Sequence, residues 1–171
     1  MKNTVLSLFL IFLMACSASI PNWYNKLPDK TDFLYAAGTE RGDEIQNAVD
    51  EATAIAVANL GRMVETEISG MQARAQEEIR DRTSVDSFTN VQEEIYSVSL
   101  KDWRVAKQEI VKDKGLHRAY VLVEWNQAAA QERLLKQIEQ DKQLYEAMRA
   151  SDLMKEMQQK VEDYRKRKAN Q

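Results

Sequence analysis

The chain of 171 residues has one cysteine, one histidine, two prolines and five glycines, and each scarcity closes a class of explanation. A single thiol forms no intramolecular disulfide, no redox pair and no thiolate metal site. The lone histidine, His117, has no second histidine or free thiol to complete a metal site, and beside a turn it reads as a surface residue. So few prolines and glycines leave little room for a disordered linker. Neither sign of charge dominates: 24 Lys and Arg against 27 Asp and Glu give a net charge of −3. That weakly acidic balance argues against nucleic acid, which demands a basic face. Catalytic signatures are lacking too. Gly38-Thr39-Glu40-Arg41-Gly42 has neither the lysine nor the Ser/Thr of a phosphate loop, and no nucleophile elbow or dinucleotide fingerprint occurs. Glu93-Glu94 and Asp50-Glu51 are sequence neighbours, so their side chains diverge instead of converging as paired catalytic carboxylates do. No enzyme, metal or cofactor is expected.

What is present begins with Lys2 and an apolar run over residues 5–14, broken only by Ser7, that leads into Leu13-Met14-Ala15-Cys16. Counted through Ala15 the run is ~11 residues, too short for the ~20 of a spanning helix but right for the core of a signal peptide. Leu13 and Ala15 before Cys16 match the lipobox, in which the cysteine thiol is acylated and the peptide cut before it. Met14 fits that pattern less well. The expectation is a signal peptide over residues 1–15 and a lipid anchor on Cys16; the competing reading is a buried N-terminal helix with Cys16 as a core thiol. Two or three acyl chains, at roughly 0.8 kcal/mol per methylene, hold a protein on a membrane essentially permanently. Ser17 and Ala18 lack the aspartate that retains Gram-negative lipoproteins in the inner membrane, so the expected address is the periplasmic face of the outer membrane. Cleavage removes only one charge, Lys2, and leaves a net charge of −4.

Residues 16–31 read as the lipidated cysteine and a tether, with Trp23 as a core plug that docks it. Residues 32–39 read as a strand ending at Gly38, where a bulge or the close approach of another backbone is expected. Asp43 looks like a helix cap. Beyond it Ile45, Ala48, Val49, Ala52, Ile55, Ala56, Leu60, Met63 and Val64, then Ile68, Met71, Ala75 and Ile79, form one amphipathic stripe. The alanine-rich first half suits close packing on a sheet, residues 72–82 read as a charged overhang into solvent, and Gly61 and Gly70 are candidate bends. Residues 83–92 fit no pattern, and 93–100 fit a strand or a short helix. The clearest pair is 102–112 with 118–125, two strand-like runs joined by Asp113-Lys114-Gly115. Ala119, Val121, Val123 and Trp125 point to one face, Tyr120, Leu122 and Glu124 to the other. Trp103 and Trp125 on these strands read as core.

Residues 126–168 contain no proline or glycine and read as a second long helix. Leu134, Leu135, Ile138, Tyr145 and Met148, then Met154, Met157, Val161 and Tyr164, recur at heptad-like spacing with a phase break after Met148. A small domain cannot cover so long a stripe, so Leu134, Ile138, Tyr145, Met148, Met154, Met157 and Val161 form a candidate oligomerisation face, with packing on the domain as the alternative. The closing Arg165-Lys166-Arg167-Lys168 complements the helix dipole, or attracts anionic lipid or peptidoglycan. Strand, helix, hairpin, helix makes an α+β fold: a small antiparallel sheet covered by helices. The expected division is an α+β domain over 32–127 and a helix, a coiled-coil candidate, over 128–171.

A candidate lipidated Cys16, Pro21-x-Trp23, a strand ending near Gly38, an alanine-punctuated helix with Ala48, Ala52, Ala56, Ala58, Asn59 and Leu60, and Arg118-Ala119-Tyr120-Val121-Leu122-Val123 follow in an order that resembles the twenty-kilodalton lipoprotein family first described as a Helicobacter outer-membrane antigen. The resemblance covers residues 16–127, and the C-terminal helix runs past it. It implies an outer-membrane lipoprotein without known enzymatic activity, and some relatives build rings or discs around the flagellar motor. The expected function is therefore a structural or assembly component of an envelope complex, flagellar or other, held to the membrane by its acyl chains and joined to copies of itself or to other envelope proteins. The alternative is a periplasmic module that binds peptidoglycan, a small ligand or a client protein.

Overall fold

Residues 119–123, Ala-Tyr-Val-Leu-Val, are apolar on both alternating faces, and such a strand belongs in the middle of a sheet. In the computed structural model, which describes residues 20–170, it does lie there. The central strand β3 (Leu116–Asn126) is flanked by β1 (Phe33–Gly42) and β2 (Arg104–Asp113), both antiparallel to it, in the order β1-β3-β2. The β2–β3 turn is Lys114-Gly115, with φ of 53° and 88°. Two successive left-handed residues make the turn that matches the natural twist of a hairpin.

Helix α2 (Ile45–Glu78) crosses the sheet over β1 and β3. Its buried row is Ala48, Ala52, Ala56, Leu60 and Val64, one every fourth residue. Four residues exceed one 3.6-residue turn, so the row winds round the helix, leaves the sheet, and continues through Met71 and Ala75 among helices. For that reason Ile45, Ile55 and Met63, expected in the stripe, are 47, 37 and 41% exposed. Residues 72–78 are no overhang either, since α3 (Arg82–Leu100) packs back along α2. The helix runs unbroken through Gly61 and Gly70, and its N-cap is Glu44 instead of Asp43.

The segment without a pattern is α3. Asp81 caps it, accepting from the Ser84 amide at 2.9 Å and the Ser84 hydroxyl at 2.6 Å. Its inward stripe, Ser84, Val85, Phe88, Gln92, Tyr96 and Ser99, has helical spacing but is half polar, which hides it from a hydrophobicity reading. Trp125 of β3 is fully buried against α3, donating from Nε1 to the Ser99 carbonyl at 2.7 Å with the Tyr96 ring 5.5 Å away. Trp103 stands just before β2, half-buried at the rim of the core.

Instead of one long helix, residues 127–169 form three: α4 (Gln127–Gln140), α5 (Lys142–Met148) and α6 (Asp152–Ala169). Each break has its own cap, Asp141 accepting from the Leu144 amide and Ser151 from the Met154 amide. The phase break after Met148 is thus a turn, and it lets the three pieces fold onto α2 and α3. One hydrophobic cluster runs from Ala36 to Val161, so position 127 marks the junction between β3 and α4 and separates no cores. The end of α6 is strapped to the start of β1 through Arg167 and Asp32, and Asn126 donates to the Tyr164 hydroxyl at 3.2 Å.

The sheet's other face carries Tyr35, Tyr120 and Leu122, all buried. The short helix α1 (Asn22–Asn25) lies over part of it, with Pro21 buried and the Tyr24 ring edge-on to Tyr120 at 4.9 Å. The docking residue is thus Tyr24. Trp23 sits half-buried at the margin, its Nε1 3.4 Å from a Glu109 carboxylate oxygen.

Candidate functional site

Cys16 and the expected signal peptide lie outside the described residues. The seven residues of the proposed oligomerisation face are within them, and the fold uses that face internally. Leu134, Ile138, Met148 and Met154 are fully buried in the single chain, Met157 and Val161 nearly so, and Tyr145 is half-buried. The stripe that suggested a coiled coil is the core of a helical layer.

The basic C-terminus is similarly engaged. Arg165 pairs with Glu132 at 2.6 Å, Lys166 with Glu162 at 2.7 Å and Arg167 with Asp32, while the Lys168 ammonium lies 5.9 Å from the Tyr164 ring centroid. Few of these charges are free to attract a lipid surface.

Between α2, α4 and α6 runs a cleft of about 250 Å³ lined by Thr66, Glu67, Arg74, Gln131, Glu156 and Lys160, among others. Its polar groups answer one another. Glu67 accepts from the Gln127 amide at 2.7 Å, and Glu156 accepts from Arg74 at 2.6 Å and Lys160 at 2.8 Å. Those two cations hold the Glu156 carboxyl below the ordinary range. Beside the cleft, burial pushes the Tyr96 hydroxyl up, and the hydroxyl donates to the Met71 sulfur. A general acid or base needs a value near working pH, and these shifts lead away from it. No cluster of three or more His, Cys, Asp or Glu side chains able to hold a metal occurs among the described residues. His117 is the second residue of β3, opposite Gly42 and Lys112. Asp50 and Glu51 are exposed on α2, and Glu93 and Glu94 on α3.

The unfinished surface is β2. Of its ten residues eight are exposed and two half-buried, against seven buried residues in a row, 119–125, on β3. Among the described residues the long helices pack on β1 and β3 rather than on β2, whose Glu109 meets Trp23 of α1 at the margin. Val105, Gln108 and Ile110, opposite or beside Val123, Val121 and Ala119, lie on the helix side of the sheet, and Val105 and Ile110 are 44 and 36% exposed. Lys107, Glu109, Val111 and Asp113 lie on the opposite side. Two ionic contacts brace the strand's ends: Arg104 with Glu124, and Asp113 with Arg118 at 2.8 Å. The Arg118 hydrogen bonds hold the Asp113 carboxyl below its ordinary range.

β1 is the other edge, but α2 attends to it: Asn59 donates from Nδ2 to the Ala37 carbonyl at 2.9 Å. Among the described residues no backbone group bonds to the outer side of β2. The hairpin was legible as a pair, but its exposed partner was not recognised as such. The signal was there: Arg104-Val105-Ala106-Lys107-Gln108-Glu109 mixes polar and apolar residues on both faces, the composition of an edge, whereas β3 is apolar on both. No protein-family model, curated protein or solved structure matches the chain.

Proposed function

We propose that this protein is a non-enzymatic lipoprotein of the outer membrane, anchored through Cys16 and facing the periplasm, that serves as an assembly module of an envelope complex. The observation that carries this reading is the contrast between β2 and the rest of the surface. The charges of the cleft rim and of the C-terminal helix end pair within the chain, whereas β2 offers an open hydrogen-bonding edge with exposed valine and isoleucine, and an open strand edge is a template for another chain. The lipobox-like Leu13-Met14-Ala15-Cys16 supports the anchor. Ile20 lies four Cα steps beyond Cys16, so an anchored domain would stand within about 14 Å of the lipid. Confinement to a surface raises local concentration and favours contacts too weak to form in dilute solution.

The second reading, a binding module, is favoured by the cleft between α2, α4 and α6. Its paired rim of Arg74, Glu156 and Lys160 counts against a charged ligand, because binding would first break those pairs.

The test is Cys16→Ser in the native host, followed by lipid labelling and membrane fractionation. The expected result is an unprocessed, unlabelled precursor lost from the outer-membrane fraction. Normal processing and placement of that variant would overturn the anchor. An anchored protein that remains a monomer in the membrane would turn the weight to ligand binding.

A further inference from the structure

We infer that the occupant of the β2 edge is a second copy of this chain, paired antiparallel about a two-fold axis through Ile110 to give a six-stranded sheet ordered β1-β3-β2-β2-β3-β1. The inference rests on the assembly reading and names its partner. A two-fold axis perpendicular to the sheet keeps every residue on its own face. Only registers that pair odd positions with odd or even with even over residues 107–113 therefore survive, since any other would set a helix-side residue beside an outer one.

The sequence then selects among those few. Centring on Glu109 sets Glu109 against itself, and centring on Val111 sets Glu109 against Asp113, in each case like charges directly opposite. Centring on Gln108 pairs Arg104 with Lys112 and forces the contact through the irregularity between Val105 and Lys107. Centring on Ile110 avoids all of these. It uses only the regular stretch 107–113, sets the exposed Ile110 against its copy, pairs Glu109 with Val111, and brings each Lys107 opposite an Asp113.

Both members of that charge pair are available. Lys107 has no ionic partner among the described residues, and the Arg118 and Arg41 contacts to Asp113 all fall on Oδ2, which leaves Oδ1 free. Lysine on an edge strand commonly guards against pairing. In this register the guard becomes an attraction; the Gln108-centred register, which would also set Lys107 against a carboxylate, Glu109, is the one excluded by Arg104 against Lys112 and by the strand's irregularity.

Residues 17–171 include every described element and no cysteine, so one introduced thiol reports without background. Under mild oxidation Ile110→Cys should give a covalent dimer, because opposed residues in an antiparallel pair lie about 5 Å apart, within disulfide reach. Gln108→Cys, which faces Lys112 of the other copy, should not. Lys107→Glu turns two attractions into two repulsions and should weaken the dimer roughly tenfold by light scattering, with unchanged circular dichroism. A monomer at every concentration with no Ile110→Cys link, or equal linking at 108 and 110, overturns the proposal. An oligomer that withstands Lys107→Glu and gives no link also overturns the β2 pairing but leaves the assembly function standing. Loss of the Cys16 anchor alone leaves the pairing intact.

Discussion

Gly38 of β1 lies directly beneath Ala52 and Ala56 of α2, so close that a methyl group at Gly38 would run into the Ala52 carbonyl and stand 2.6 Å from the Ala56 amide nitrogen. The atoms in the way are helix backbone, which cannot swing aside as a side chain would. Gly38→Ala is therefore expected to lower stability by about 3 kcal/mol, at the upper end for overpacking. Gly61→Ala, with open space around the new methyl, should raise it by roughly 0.5–1 kcal/mol through helix propensity. Urea denaturation of both variants checks the pair; equal effects would mean that α2 does not rest on the strand.

That contact was legible in the sequence, although β1 runs on past Gly38 to Gly42 instead of ending there: a glycine in an apolar strand and alanines at every fourth position of the next helix are what close helix–sheet approach requires. The hairpin was legible for a similar reason, since Lys114-Gly115 can adopt the turn and the flanking runs alternate. α3 was hidden because its inward face carries Ser84, Gln92 and Ser99. The three C-terminal helices merged into one because Asp141 and Ser151 stop helices by capping, without the proline or glycine that usually announces a stop. Once those turns are made, a stripe that looked too long for a small domain covers α2 and α3. The candidate surface depended on knowing which strand of the hairpin the helices leave uncovered, a tertiary fact that alternation alone does not carry.

Ile138 decides between a seam and a core. Ile138→Asp places a charge where the side chain is fully buried among apolar groups, and the expected outcome is loss of the folded state, with flattened thermal unfolding even in dilute solution. Ile138→Ala should fold but lose about 2–5 kcal/mol. A folded Ile138→Asp chain that had merely become smaller in light scattering would return this face to an oligomer interface.

Gln92 is fully buried, and neither its amide nitrogen nor its oxygen has a hydrogen-bond partner. Removing an unsatisfied polar group recovers its desolvation cost, so Gln92→Leu is expected to be neutral or stabilising by about 1–2 kcal/mol, opposite in sign to most core substitutions. Chemical denaturation measures it directly. A loss above about 1 kcal/mol would show that the amide makes bonds after all, to water or to a rearranged Gln131.

Acid should unfold the protein through a small set of carboxylates. Asp113 is held low by Arg118, Glu156 by Lys160 and Arg74, Asp81 by the Ser84 hydroxyl and amide, and Asp152 by Lys155. A carboxylate whose value is depressed on folding binds protons more readily in the unfolded chain, so its contribution is complete above the unfolded value, near 4, and disappears as pH falls through the folded one. Stability should be flat from pH 7 to about 5 and fall below about 4. The Glu156 share is separable, because it bridges α2 and α6 through Arg74. Glu156→Gln should cost less at pH 3 than at pH 7, because acid moves the wild-type carboxyl toward the neutral form that the variant mimics. A penalty that is the same at both pH values would mean that the Arg74–Glu156–Lys160 contact contributes nothing electrostatic and that the variant acts through packing alone.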